Sequence, residues 1–152
     1  MCMAALRLDD HLCFALYAAS RAVAAAYRPL LTEFGITYPQ YLVLVVLRED
    51  GAMSVRELGE RLQLDSGTLS PLLKRMETAG LLVRQRSELD ERSVHVDLTE
   101  AGRRLEVTVR CVPQRLAELV GDSGWTEADV VALRDEVNRL TALVRHSDNP
   151  EQ

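Results

Sequence analysis

The chain has 152 residues, with 23 acidic against 18 basic side chains and a net charge of −5. At 47% hydrophobic and 27% charged, its composition is that of a mainly helical globular protein able to bury one core. No apolar run is long enough to span a bilayer, and MCMAALRLDD lacks the basic-then-apolar order of a signal peptide. Three cysteines, Cys2, Cys13 and Cys111, are too sparse for a secreted disulfide framework. The expectation is one cytoplasmic domain with no membrane partner.

Asp9 or Asp10 is expected to start a first helix carrying Leu12, Cys13, Leu16 and Tyr17 and then the run Ala22–Ala26, where little side-chain bulk lets another helix approach. Pro29 should kink or interrupt it, and Leu30, Leu31 and Phe34 continue the apolar face to Gly35. A second helix begins near Tyr38-Pro39, with proline at the favoured first position. Its run Tyr41–Leu47 is apolar almost all round, which implies burial, and Glu49-Asp50-Gly51 closes it.

The stretch Ser54–Val96 reads as two short helices and two strands. Ser54 and Glu57 form an S-x-x-E capping box, and Val55, Leu58 and Leu62 share one face. After the tight turn Gln63-Leu64-Asp65, Asp65 or Ser66 can cap a second helix, which buries Leu69, Leu72, Leu73 and Met76 and ends at Gly80. Leu81–Val83 and Val94–Val96 are expected to pair around a charged hairpin. A helix-turn-helix followed by a hairpin is a winged helix, which places its second helix in the major groove of duplex DNA. The candidate DNA-binding residues are Ser66, Thr68, Ser70, Lys74 and Arg75 on that helix, with Arg84, Arg86 and Arg92 on the hairpin. The acid excess does not exclude this function, because affinity depends on cations placed at phosphates rather than on net charge.

Thr99 caps a helical segment over Glu100–Val120 with a bend at Pro113, and Thr126 with Asp129 resembles a capping box for a last helix. There Val130, Leu133, Val137, Leu140 and Val144 recur as a packing seam. The winged helix spans about 38–98. The helices at about 9–34 and 100–146 exceed what its core needs; a homodimer is their natural use, and the other reading is that they only thicken a monomeric core. Two-fold symmetry then presents two recognition helices to half-sites of a palindromic operator ~34 Å apart.

Cys13 lies near the start of the first helix, where the helix terminus favours a thiolate, and Tyr17 shares its face. A cysteine on such a face is also commonly an inert core residue. Tyr27 and Tyr38 carry hydroxyls able to donate to a thiolate, or to sit at an ordinary core boundary.

The phrases LCFALYAASR, YRPLL, ITYPQYLVLVVL, LDSGTLSPLLKRME and RSELDERSVHVDLTEAG closely resemble the MarR family of transcription regulators. Within it they resemble the organic hydroperoxide resistance regulator (OhrR) branch, over about Leu8 to Leu105. The resemblance implies a homodimeric repressor in which Cys13 is the peroxide sensor and Tyr17, Tyr27 and Tyr38 line its pocket. It implies that Arg92 enters the minor groove, with Asp90 orienting the wing. Organic hydroperoxides would be the inducer, with Leu12, Phe14, Leu16 and Phe34 as candidates for an apolar lining. Some members pair the sensor with a second cysteine of the C-terminal half. Cys111 is the candidate here, although it precedes Pro113; a small buried residue, with a low-molecular-weight thiol capping the sensor instead, is the other reading. Cys2 is assigned nothing.

Two further readings stay open. One is a MarR-type repressor released by a reversible phenolic or aromatic ligand, with Cys13 a bystander. The other is a thiol peroxidase, against which stand the absence of a glycine-rich cofactor motif and the scatter of His11, His95 and His146. No metal or cofactor is expected.

Overall fold

The computed structural model describes residues 7–86, 93–121 and 124–147. Asp90 and Arg92, expected in the wing, lie outside the described residues, as does Cys2. Two compact units divide the chain, Met1–Pro113 and Gln114–Gln152.

The first unit begins with a short 3-10 turn at Leu8–Asp10, and α1 runs Leu12–Thr32 behind His11. Asp9 and Asp10 therefore do not start α1, as the sequence had implied: the tighter turn takes them first. Pro29 does not end it either. It lies inside α1, exposed, where its missing N–H leaves one carbonyl to water. Helix α2 spans Tyr38–Asp50. Its cap is Thr37, whose backbone N–H donates to Gln40 Oε1 at 2.8 Å, a T-x-x-Q capping box that also seats Pro39 in the first turn. Tyr41, Val43, Leu44, Val46 and Leu47 are buried, as the all-round apolar pattern requires, and Gly51 ends the helix at φ 76°.

Helix α3 (Val55–Leu62) and helix α4 (Ser66–Thr78) form the helix-turn-helix. The Ser54–Glu57 box is made in both directions, at 2.8 and 3.1 Å. Asp65, not Ser66, caps α4, accepting from the Thr68 N–H at 2.9 Å. Helix α4 closes with Leu81 N–H donating to Met76 O and Gly80 N–H to Glu77 O. This is the paired closure that a left-handed glycine permits, and Gly80 has φ 73°.

Strands β2 (Leu82–Arg86) and β3 (Val94–Leu98) pair antiparallel, Leu82 opposite Leu98 and Arg84 opposite Val96. A third strand was not foreseen. The two residues of β1 (Met53–Ser54) pair with Val96 and His95, giving the order β1-β3-β2. The expected mainly helical winged helix-turn-helix is the fold found.

Helix α5 covers Glu100–Val109, and α6 covers Val112–Val120. The expected bend comes at Arg110-Cys111, one turn before Pro113 would place it; Pro113 sits harmlessly in the first turn of α6. Val109 and Val112 are fully buried with Leu31, Leu44 and Leu73 in the core of the first unit. In the second unit, α7 (Glu127–Ser147) is capped reciprocally by Thr126 and Asp129 at 2.8 and 3.2 Å. Its Val130, Leu133 and Val144 are exposed on the single chain.

Thr99 joins α4 to α5. Its hydroxyl donates to Gly80 O at 2.6 Å and accepts from Gly102 N–H at 3.1 Å, drawing α5 onto the Leu81 carbonyl. A Cβ at Gly102 would overlap that carbonyl, whereas one at Gly121 would meet nothing. Gly102→Ala is expected to lower the unfolding free energy by about 2 kcal/mol or more in urea titration, and Gly121→Ala to change it by less than about 0.5 kcal/mol.

Candidate nucleic-acid interface and thiol site

The outward side of α4 carries Ser66, Thr68, Ser70, Lys74 and Arg75, all exposed. Burying Leu69, Leu72, Leu73 and Met76 leaves these positions facing water. The Thr68 hydroxyl is engaged in the cap, 2.9 Å from Asp65 Oδ2. The Asp65 carboxylate is held below its usual range by the hydrogen bonds from Thr68, so it caps as the anion. Lys74 and Arg75 pair with no carboxylate among the described residues, which leaves their charges available to phosphate. A groove of about 450 Å³ is lined by Ser54, Arg56, Ser70, Arg84 and Ser93, among others. Arg86 ends β2 and is exposed. Arg84 differs from the expectation of an open cation: both its Nε and Nη2 donate to Glu77 Oε2, at 2.9 and 2.6 Å.

Cys13 is the second residue of α1 and is exposed on the single chain. The inert-core reading does not describe it. It stands in the first turn, where unpaired backbone N–H groups concentrate positive potential. Leu12, Phe14 and Tyr17 around it are exposed too. Tyr17 points its hydroxyl to Arg21, which donates at 3.1 Å and lies over the ring at 5.6 Å.

Tyr27 and Tyr38 are brought together, with ring centroids 4.6 Å apart, and a third ring joins them: Tyr41, at 5.9 Å from Tyr27 and 6.2 Å from Tyr38. Burial raises all three phenols above their ordinary range, and Tyr27 and Tyr41 are raised further by their ring neighbours. At neutral pH they are protonated and able to donate. Tyr41 was missed because it sits in an apolar run and reads as core; its place three residues after Tyr38 on a helix was the available signal. Tyr17 and Cys13 are not part of this cluster. Fourteen residues separate Cys13 from Tyr27 on one continuous helix, about 21 Å at the helical rise.

A second feature was invisible in the sequence. Glu106 of α5 is 3% exposed and receives Arg110 at 2.7 to 3.0 Å and Arg48 of α2 at 3.4 Å. The pairing raises Arg110 above its usual range, and the charges of Arg48 and Glu106 act in opposite senses on Tyr41. Cys111 is next in the chain, exposed, with its thiol 3.5 Å from Thr108 O. The small-buried-residue reading of Cys111 is thereby excluded for the single chain. The described residues contain no cluster able to hold a metal ion and no helix long and apolar enough to cross a membrane.

The family model described as transcriptional regulator SarA/Rot matches residues 25–107. The chain is 50% identical, over 78% of its length and 81% of the relative's, to an organic hydroperoxide resistance transcriptional regulator of Bacillus subtilis. The chain belongs to the MarR/SarA family of transcriptional regulators, in the organic hydroperoxide resistance branch. Family members of known structure share its fold. Reduced AbfR bound to DNA matches with TM-score 0.73 at 33% identity, over 91% of this chain and 95% of that one. Overoxidised AbfR bound to DNA matches with TM-score 0.71 at 34% identity, over 90% and 95%. AbfR is a protein of Staphylococcus epidermidis.

Glu106→Gln keeps the shape and removes the charge, so it is expected to lower stability by about 1.5–3 kcal/mol in urea titration. Arg48→Ala with Arg110→Ala should lower it further, since that pair of changes leaves a buried carboxylate without a counter-charge.

Proposed function

We propose that this regulator is a homodimeric, cytoplasmic repressor that binds a palindromic operator when reduced and leaves it when Cys13 is oxidised by an organic hydroperoxide. The observation that carries the reading is the separation along α1. Cys13 and Tyr27, the α1 member of the tyrosine cluster, stand about 21 Å apart on one unbroken helix, so the sulfur meets such a cluster only if a second copy brings its tyrosines to it. The exposed apolar faces around Cys13 and on α7 are surfaces that such a second copy would cover.

The thiolate of Cys13 attacks one peroxide oxygen; the O–O bond breaks, two electrons pass from sulfur to oxygen, and the departing alkoxide takes a proton to leave as alcohol. The sulfenic acid so formed condenses with a thiol, giving a disulfide and releasing water. The thiol is that of Cys111 or of a small molecule. The Tyr27, Tyr38 and Tyr41 hydroxyls donate to the anionic sulfur in the resting state. Oxygen or a bulky thiol added there displaces the packed rings and α2 beneath them, and the spacing of the two recognition helices is lost. On DNA, Ser66, Thr68, Ser70, Lys74 and Arg75 face the major groove; Arg86 lies toward the backbone, and Arg92 reaches the minor groove with Asp90 orienting it.

Cys13→Ser should bind operator DNA as the parent does and stay bound after cumene hydroperoxide, as read by fluorescence anisotropy. Release of this variant by peroxide would end the sensor assignment. Arg92→Ala should weaken binding by about 1–3 kcal/mol and flatten its salt dependence, and unchanged affinity with an unchanged slope would take the wing out of the interface.

A further inference from the structure

Among the basic residues of the DNA-facing region, Arg84 is singled out by its partner. On β2 the side chains of Leu82, Arg84 and Arg86 share one face, and Leu82 is buried. That alternation turns Arg84 back toward α4, where Glu77 lies in the last turn. The fit is tight at both ends. Glu77 and Gly80 carry the closing hydrogen bond of α4, and Arg84 is held within the ladder opposite Val96, which is fully buried. The two charged side chains are 32% and 35% exposed, so water screens the pair less than it screens the open ion pairs elsewhere on the chain. Glu77 is held below the usual carboxylate range by Arg84.

We propose that Glu77 and Arg84 are positioning residues for operator recognition: their ion pair fixes wing strand β2 against recognition helix α4, and Arg84 is not itself a phosphate ligand. The two DNA-contacting parts, helix and wing, are then read as one rigid element across the Ala79-Gly80-Leu81 turn. A phosphate reaching for Arg84 would have to displace a carboxylate already bound through two nitrogens. The inference rests on the reading of α4 as the DNA-facing helix, and its test carries a control for that.

The test is a double-mutant cycle on operator affinity and on its salt dependence, using Glu77→Gln, Arg84→Gln and the double variant of the full-length protein, with folding checked by circular dichroism and thermal melting. Each neutral substitution should weaken binding about tenfold, and the double variant about tenfold as well rather than a hundredfold, because both remove the same contact. The slope of log affinity against log salt should be unchanged in all three. Loss of about one unit of slope in Arg84→Gln, with little effect of Glu77→Gln, would make Arg84 a phosphate ligand and overturn the proposal. Multiplying losses, unchanged affinities, or losses matched by incomplete folding would overturn it equally. Lys74→Ala is the control: its salt slope should fall by about one. If it does not, the failure belongs to the assignment of α4 to DNA rather than to the Glu77–Arg84 pair.

Discussion

The first unit is built on the burial of α2. Five of its thirteen residues are buried, Val43 and Leu44 completely. Burial of apolar surface contributes roughly 25 cal/mol per Å², and α2 buries more side chains than any other described helix of that unit. Helices α1, α3, α4 and α5 and strand β3 all pack on α2. A helix apolar all round cannot slide or rotate far without exposing one face or another, so its neighbours inherit its position. The tyrosine rings stand at its N-terminal end, Arg48 at its C-terminal end, and the helix-turn-helix rests on its flank. A displacement of the rings would therefore reach α4 through packed side chains, not through a flexible tether.

Charge is distributed by a similar economy. Seven of the twelve described arginines of the first unit are already paired with carboxylates, among them Arg61 with Glu49 and Asp50, Arg103 with Asp97, Arg84 with Glu77 and Arg110 with Glu106. An acidic protein with its cations neutralised in place has little non-specific attraction for DNA. Lys74 and Arg75, left open on α4, therefore weigh more than the overall charge implies. Glu106 is the exception in kind. It is buried, and its carboxylate joins α5 to Arg48 of α2.

The sequence was most legible where local chemistry decides the outcome. Both capping boxes that were read, Ser54–Glu57 and Thr126–Asp129, are formed, and Gly80 ends α4 in the left-handed conformation that its position after an apolar-periodic run implied. The burial of Tyr41–Leu47 was equally plain. Legibility failed where distant segments decide. Met53–Ser54 becomes a strand only because β3 is there to pair with it, and two residues carry no period. Glu106 reads as one more surface acid on an amphipathic helix until Arg48, 58 residues earlier, is placed over it. Pro29 does not interrupt α1 for a related reason: one lost hydrogen bond does not stop a helix whose flanking turns are anchored by the core, here through the buried Leu31.

The unbroken path of α1 from Cys13 to Tyr27 has a consequence for the thiol. Had the helix turned back between them, Cys13 could have folded against Tyr27 within one chain, and a monomer could have carried both the sulfur and its hydrogen-bond donors. A continuous rod of 21 residues forbids this, because its ends are rigidly apart. The sulfur then sits at one end with an exposed apolar collar, and the donors sit at the other, partly buried against α2. If a second copy brings its rings to this sulfur, as proposed above, oxidation there would be felt directly by the α2 of that copy and, through it, by that copy's α4. On that proposal, sensitivity to a single oxygen atom would follow from the packing around the sulfur more than from the reactivity of the thiol alone: a cysteine with nothing packed against it is as easily oxidised, but nothing would have to move.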